Sequence, residues 1–115
     1  MIVNSCVFCR IIDRQEPAQI IYEDDHVISF YGLHSVTNAH VLVVPKKHIR
    51  NVLDIKEEDQ EYILKIHLGI QQVAKILNID KSGFRVVTNT GVHGQQEIYH
   101  IHYHVIGGRQ LIWEF

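Results

Sequence analysis

The sequence predicts an α+β domain: an antiparallel sheet backed by one main helix. Three observations carry this. Five short apolar runs with β-branched residues are separated by turn signals. One long segment repeats its apolar residues at helical spacing. The order β-β-β-α-β-β places that segment between the third and fourth strands. With 115 residues the chain holds one domain, 1–115.

The elements follow in order. Val7, Phe8, Ile11 and Ile12 lie at helical spacing within a short helix from Cys6 to Arg14, which Pro17 ends. Ile20–Glu23 and Val27–Tyr31 are two strands joined by a tight turn at Asp24-Asp25. Val41–Val44 is a third, largely buried strand that Pro45 stops. Asp54 and Glu57 have the spacing of a capping box that opens the long helix. Tyr62, Ile63, Ile66, Ile70, Val73 and Leu77 form its apolar stripe, and Asn78 and Gly83 bracket its exit. Phe84–Thr88 is a fourth strand, Asn89–Gly94 a polar loop, and Ile98–Ile106 a fifth strand ended by Gly107-Gly108.

Composition excludes several classes. The chain is 46% hydrophobic and 21% charged, which is the balance of a globular domain and not of a disordered one. A net charge of −2 gives no general attraction to a polyanion, so no nucleic-acid polymer is expected as a partner. A small anionic ligand needs only a local donor-rich site. No basic segment followed by an apolar run opens the chain, and no apolar stretch has the length of a membrane span. A cytoplasmic protein without a membrane partner is the expectation. There, Cys6 and Cys9 are expected as thiols or metal ligands in preference to a disulfide.

Histidine is the anomaly: nine in all, three of them in the run His100-Ile101-His102-Tyr103-His104. On a strand, His100, His102 and His104 share one face, while Ile101, Tyr103 and Val105 face the core. A solvated polar face would not need histidine at all three positions. Chelation of a metal is one reading of the run. Nucleophilic catalysis is the other, with one neutral imidazole attacking phosphorus and its neighbours supplying donors.

The run resembles the signature of the histidine triad superfamily, His-φ-His-φ-His-φ-φ, as His100-Ile101-His102-Tyr103-His104-Val105-Ile106. Ile11-Ile12, Pro17-Ala18, Ile21-Tyr22-Glu23-Asp24-Asp25, Val43-Val44-Pro45-Lys46-Lys47-His48-Ile49 and Gly107-Gly108-Arg109-Gln110 resemble its Hint branch, so the likeness spans nearly the whole chain. The resemblance implies a five-stranded antiparallel sheet with one long and one short helix. It also implies a homodimer whose sheets join. The implied activity is hydrolysis of purine nucleoside phosphoramidates, and of mixed anhydrides such as aminoacyl adenylates, with AMP- or GMP-like nucleotides as substrates and no organic cofactor.

By the same resemblance, His102 is the nucleophile that carries a nucleotidyl intermediate. Its second nitrogen would donate to a backbone carbonyl, that of His100 being the nearest choice. His104 contacts the phosphate and helps move the leaving group's proton, and His40 is the outlying active-site histidine. Asn89, Gln95, Gln96 and Glu97 fall on the phosphate side. Phe8, Ile11, Phe30 and Leu33, with Val7, match the apolar slot for the base, although each would serve equally as core.

Three positions depart from the best-known members. Gly32 stands where an aspartate meets the ribose, Glu97 where many members have a serine, and Gln95 in place of a glycine. An ionised Glu97 beside phosphate is repulsive, so it points away, is protonated, or receives a basic leaving group.

Cys6-Val7-Phe8-Cys9 is a C-x-x-C pair: two buried thiols, or half of a zinc site. Zinc-bearing members complete the site with residues that match His48 and His100. His48 is preferred to His40, which lies at the other end of the third strand. Two thiolates and two imidazoles suit a closed, structural zinc. Two further readings remain beside the hydrolase. One is a nucleotide-binding interaction protein with vestigial catalysis. The other is an enzyme with all three strand histidines on a catalytic ion. The tail Leu111–Phe115 either crosses to a partner subunit or packs on its own.

Overall fold

The computed structural model describes residues 3–32 and 39–113. A short helix α1 (Val7–Ile12) precedes strands β1 (Ile20–Glu23), β2 (Val27–Tyr31) and β3 (Ala39–Pro45). Two 3₁₀ turns, Val52–Asp54 and Glu57–Asp59, lead into helix α2 (Gln60–Ile76), and strands β4 (Phe84–Val87) and β5 (Tyr103–Gly107) follow. All strand pairs are antiparallel in one five-stranded sheet, ordered β1-β2-β3-β5-β4. The α+β architecture expected from the sequence is the one observed.

Alternation along the central strands divides the core in two. Val27, Val41, Val43 and Val105 pack with Ile66, Ile70, Val73 and Ala74 of α2. Ile28, Phe30, Leu42 and Val44 turn to the other face and pack with Cys6, Phe8, Cys9 and Ile11 of α1 and its cap. Covered on both faces, β3 is buried along its full length, which explains its unbroken apolar run. Ile66 and Val73 have no exposed surface, and each contributes about 1.5–3 kcal/mol by burial. Gly69 marks the closest approach of α2 to the sheet: a β-carbon there would lie 3.1 Å from Val27 Cγ2.

The ends of α2 separate what was legible from what was not. At the exit, Asn78 adopts a left-handed φ of 61°. Ile79 N donates to Ala74 O and Asn78 N to Lys75 O, a Schellman closure as Asn78 led us to expect. At the entrance the expectation fails. Asp54 closes a 3₁₀ turn capped by Asn51, whose Oδ1 accepts from Leu53 N, and α2 starts only at Gln60. The carboxylate that folds back is Asp59, which accepts from Lys56 N at 2.9 Å and pairs with the Lys47 ammonium. That ammonium is a tertiary partner with no trace in the local pattern.

The last strand also needs correction. It was expected from Ile98 but the ladder begins at Tyr103, opposite Val43. Pro45 ends β3 with no N–H to give, and its carbonyl accepts from His100 Nε2 at 2.8 Å. Residues 98–102 instead run beside the segment after β3, with Ile101 N donating to Ile49 O at 2.6 Å. The alternation nevertheless continues through this stretch: Ile101 is buried, and His102 and His104 face the α1 side. Among the described residues, no helix is long and apolar enough to cross a membrane.

Candidate active site and metal centre

A cleft of about 820 Å³ opens on the α1 face of the sheet. His40 and Leu42 come to it from β3, His104 from β5, and His102 from the turn into β5. Phe8, Ile11 and Phe30 form an apolar wall, and Asn89, Gln95 and Glu97 form the opposite rim. Apart from Leu42, sequence reasoning had placed each of these residues at the site. Gln96 is the exception. It is buried beneath the rim, where Nε2 donates to Arg50 O and Ile98 O, and Oε1 accepts from Asn51 Nδ2 and Gly91 N. It pins the rim loop to the segment after His48 and does not face the cleft. Leu33 lies outside the described residues.

His102 is fixed at two points. Its Nδ1 lies 2.8 Å from His100 O, as the sequence suggested, and its carbonyl accepts from Thr88 Oγ1 at 2.9 Å. A carbonyl oxygen only accepts, so Nδ1 carries the proton and Nε2 is the bare lone pair. Phe8 packs edge-on against this ring, centroids 5.0 Å apart. Thr88, just past the end of β4, was missed because a threonine read as the last residue of a strand carries no signal of a side-chain role.

Burial lowers the pKa of His102, against the raising effects of the His100 carbonyl and the Glu97 carboxylate. Burial, then His102 and His40, lower His104 to about 4. His40 is also lowered by burial. All three imidazoles are therefore neutral near pH 7. His40 Nε2 and His104 Nδ1 lie 2.9 Å apart, so one donates to the other. Among the described residues lining the cleft, the charged side chains are Glu16 and Glu97 alone. A phosphate here would be met by imidazole N–H, amides and backbone donors, because among the described residues no lysine or arginine lines the cleft.

The second cluster lies beside the first. Cys6, Cys9, His48 and His100 bring their ligand atoms within 4.8 Å of one another. His100 Nδ1 stands 3.4 Å from Cys6 Sγ, 3.6 Å from Cys9 Sγ and 3.1 Å from His48 Nδ1, and Cys9 Sγ lies 3.3 Å from His48 Nδ1. A tetrahedral ion with metal–sulfur bonds near 2.3 Å and metal–nitrogen bonds near 2.05 Å requires edges of about 3.3–3.8 Å. Four of the six spacings, from 3.1 to 3.6 Å, are close to that, and all six lie within 4.8 Å. Because Pro45 O only accepts, His100 Nε2 carries the proton and Nδ1 turns a lone pair into the cluster. Burial holds His100 at about 4 and lowers His48, so both rings are neutral and able to offer a lone pair. It pushes the Cys6 thiol up, a cost that a bound cation reverses. These four residues could hold a metal ion. His40 lies apart from them, paired with His104, which agrees with the choice of His48.

Comparison with known proteins gives the family. A family model described as scavenger mRNA decapping enzyme, C-terminal binding, matches residues 5–111. An uncharacterised HIT-like protein of Synechococcus elongatus is 38% identical over 107 residues, 93% of each chain. The chain belongs to the histidine triad superfamily. Solved structures of HIT members superpose closely. A histidine triad protein from Clostridium difficile has a TM-score of 0.94 at 39% identity over all of both chains. A HIT family hydrolase from Legionella pneumophila has a TM-score of 0.90 at 35% identity, covering 94% of this chain and 96% of its own.

The C-terminal segment runs beside β4, with Ile112 and Trp113 exposed. Arg85 Nη2 donates to Ile112 O at 2.9 Å, and its guanidinium lies 5.8 Å from the Trp113 ring centre.

Proposed function

We propose that the chain is a Hint-type hydrolase that cleaves purine nucleoside phosphoramidates through a nucleotidyl intermediate on His102. The observation that carries this reading is the state of His102: Nδ1–H committed to the His100 carbonyl, and a bare Nε2 on the cleft. The Legionella neighbour, named a HIT family hydrolase, supports the reaction class.

In the first step the Nε2 lone pair forms a bond to phosphorus. The phosphorus–nitrogen bond breaks, its electrons go to the amine nitrogen, and that nitrogen takes a proton as it leaves. His102 becomes a phosphorylated imidazolium, whose positive charge the His100 carbonyl stabilises through Nδ1–H. Water then attacks phosphorus and releases a proton, and the phosphorus–Nε2 bond breaks to restore neutral His102. His104, with His40 behind it, donates to the phosphoryl oxygens and helps carry the leaving group's proton. Asn89 and Gln95 supply further donors. Phe8, Ile11, Phe30 and Leu33 take the base.

Zinc is the ion that two thiolates and two imidazoles suit best. Cys6, Cys9, His48 and His100 would hold it with no open position. When bound it supplies rigidity, tying α1 and its apolar wall to the segment before β5 that carries His102. The exposed sheet edge at β4, where Val86 is 41% exposed, supports a homodimer formed through that edge.

The decisive experiment is mass detection of a nucleotidyl adduct on enzyme quenched with an adenosine phosphoramidate. His102→Asn should bind the nucleotide and form no adduct. Normal turnover by that variant would refute the mechanism. The absence of lysine and arginine from the cleft lining favours a second reading, a nucleotide-binding interaction protein. That reading gains if wild-type protein binds purine nucleotides but turns over no phosphoramidate.

A further inference from the structure

A second cavity of about 460 Å³ lies against the nucleotide cleft. Val7, Glu97 and Ile98 line both spaces, so the two share a wall. Arg50 and Tyr99 line only the second one. Arg50 lies over the Tyr99 ring, 5.0 Å from its centre, and among the described residues no carboxylate pairs with it. The cavity therefore has an acid at its junction with the cleft, a base further along, and an apolar side formed by Val3, Val7 and Ile98.

We propose that this cavity receives the leaving group, and that Glu97 and Arg50 select an amine whose chain carries a carboxylate. The inference rests on the hydrolase reading above. Its chemistry follows from where each charge stands. Glu97 lines the cleft together with His102 and also lines the second cavity, so it stands where a leaving group would pass from one to the other. An ionised carboxylate only accepts hydrogen bonds. The nitrogen of a phosphoramidate carries an N–H to donate, and the freed amine becomes an ammonium that Glu97 stabilises. The bridging oxygen of a phosphate ester has no hydrogen to offer, and against it Glu97 is repulsive. Beyond the nitrogen, Arg50 provides a fork of donors for a carboxylate. An amine near phosphorus and a carboxylate farther out is the charge order of an amino acid. Glu97, repulsive toward the phosphate alone, becomes a recognition group once the leaving group is included.

The test compares three adenosine 5′-phosphoramidates of equal chain length, made from 4-aminobutyrate, its methyl ester and butylamine. Wild-type protein should show the highest kcat/KM for the free carboxylate, by about three- to tenfold, the range of a partly exposed charge-assisted contact. Arg50→Met should remove that preference and leave butylamine turnover unchanged. Arg50→Lys should keep part of it, which separates loss of charge from loss of fold. Glu97→Gln should lower all three rates together, because the nitrogen is common to them. Equal wild-type rates on the three substrates, a preference that survives Arg50→Met, or unchanged rates with Glu97→Gln would overturn the proposal while the hydrolase reading stands. No turnover of any substrate would overturn both.

Discussion

Replacing Gln96 with leucine keeps the side-chain volume and removes four hydrogen bonds. It strands two acceptors, Arg50 O and Ile98 O, and two donors, Asn51 Nδ2 and Gly91 N. A buried polar group left without a partner costs about 1–3 kcal/mol. Gln96 and Asn51 are each 7% exposed, so water reaches some of these groups but not all. Taking about 1 kcal/mol for most of them gives a loss near 3 kcal/mol. For 115 residues the unfolding entropy is about 240 cal/mol/K, so Tm should fall by about 12 °C. The rim loop carrying Asn89, Gln95 and Glu97 loses its anchor as well, and a misplacement of about 1 Å near the chemistry is enough for a tenfold loss or more in kcat/KM. Differential scanning calorimetry and phosphoramidate turnover on the same preparation test both parts. A Tm within about 3 °C of wild type together with unchanged kinetics would refute the view of Gln96 as the pin of the rim, since that shift corresponds to under about 1 kcal/mol.

Three further outcomes are expected. Metal analysis should find one zinc per chain, lost in Cys9→Ser, with a stability cost of at least about 3 kcal/mol and weaker turnover, because α1 carries both a ligand and the wall against His102; full zinc in that variant would sink the assignment. The ion pair with Lys47, aided by the Lys56 N–H, holds the Asp59 carboxyl below its ordinary value. Because the folded pKa is the lower one, this stabilisation is present above about pH 4 and is lost as pH falls through the folded value; Asp59→Asn should therefore flatten acid denaturation followed by circular dichroism. Gly69→Ala gains about 1 kcal/mol of helix propensity but presses a methyl to 3.1 Å from Val27 Cγ2, where overpacking costs about 1–3 kcal/mol, so a Tm lower by about 4 °C is expected, and a rise would show that α2 can move off the sheet.

The sequence carried the fold wherever the cause was local or periodic. Val27 to Tyr31 and the stripe Ile66, Ile70 and Val73 announce their faces by alternation and by helical spacing. Asn78 marks a helix exit because few other residues tolerate a left-handed φ. The long helix's entrance was misplaced because Asp54 fits the local capping pattern as well as Asp59 does. Only the Lys47 ammonium, brought over by the end of β3, decides between them.

The candidate site divides in the same way. Its residue types were legible: an alternating histidine run, a C-x-x-C pair and His48 are unusual enough to name a chemistry. Their assignment among tasks came from the family resemblance and not from the local pattern. One histidine turns to the thiols and the next to the cleft because Pro45 ends the ladder, and its free carbonyl takes His100 Nε2. The His100 carbonyl then holds the His102 ring, while Thr88, just past the end of β4, holds the His102 carbonyl. Gln96 was misread for the converse reason: a glutamine among polar rim residues looks like a ligand contact until its four backbone and amide partners are known. Thus the sequence by itself determined the fold class, the faces of its elements and the identities of the reactive groups, because propensity and periodicity act over a few residues. The tertiary structure alone decided which nitrogen is bare, which side chain faces the cleft and which supports it from behind. Several of those properties depend on partners far along the chain, such as Pro45 for His100 and Arg50 and Asn51 for Gln96, and no local pattern encodes them.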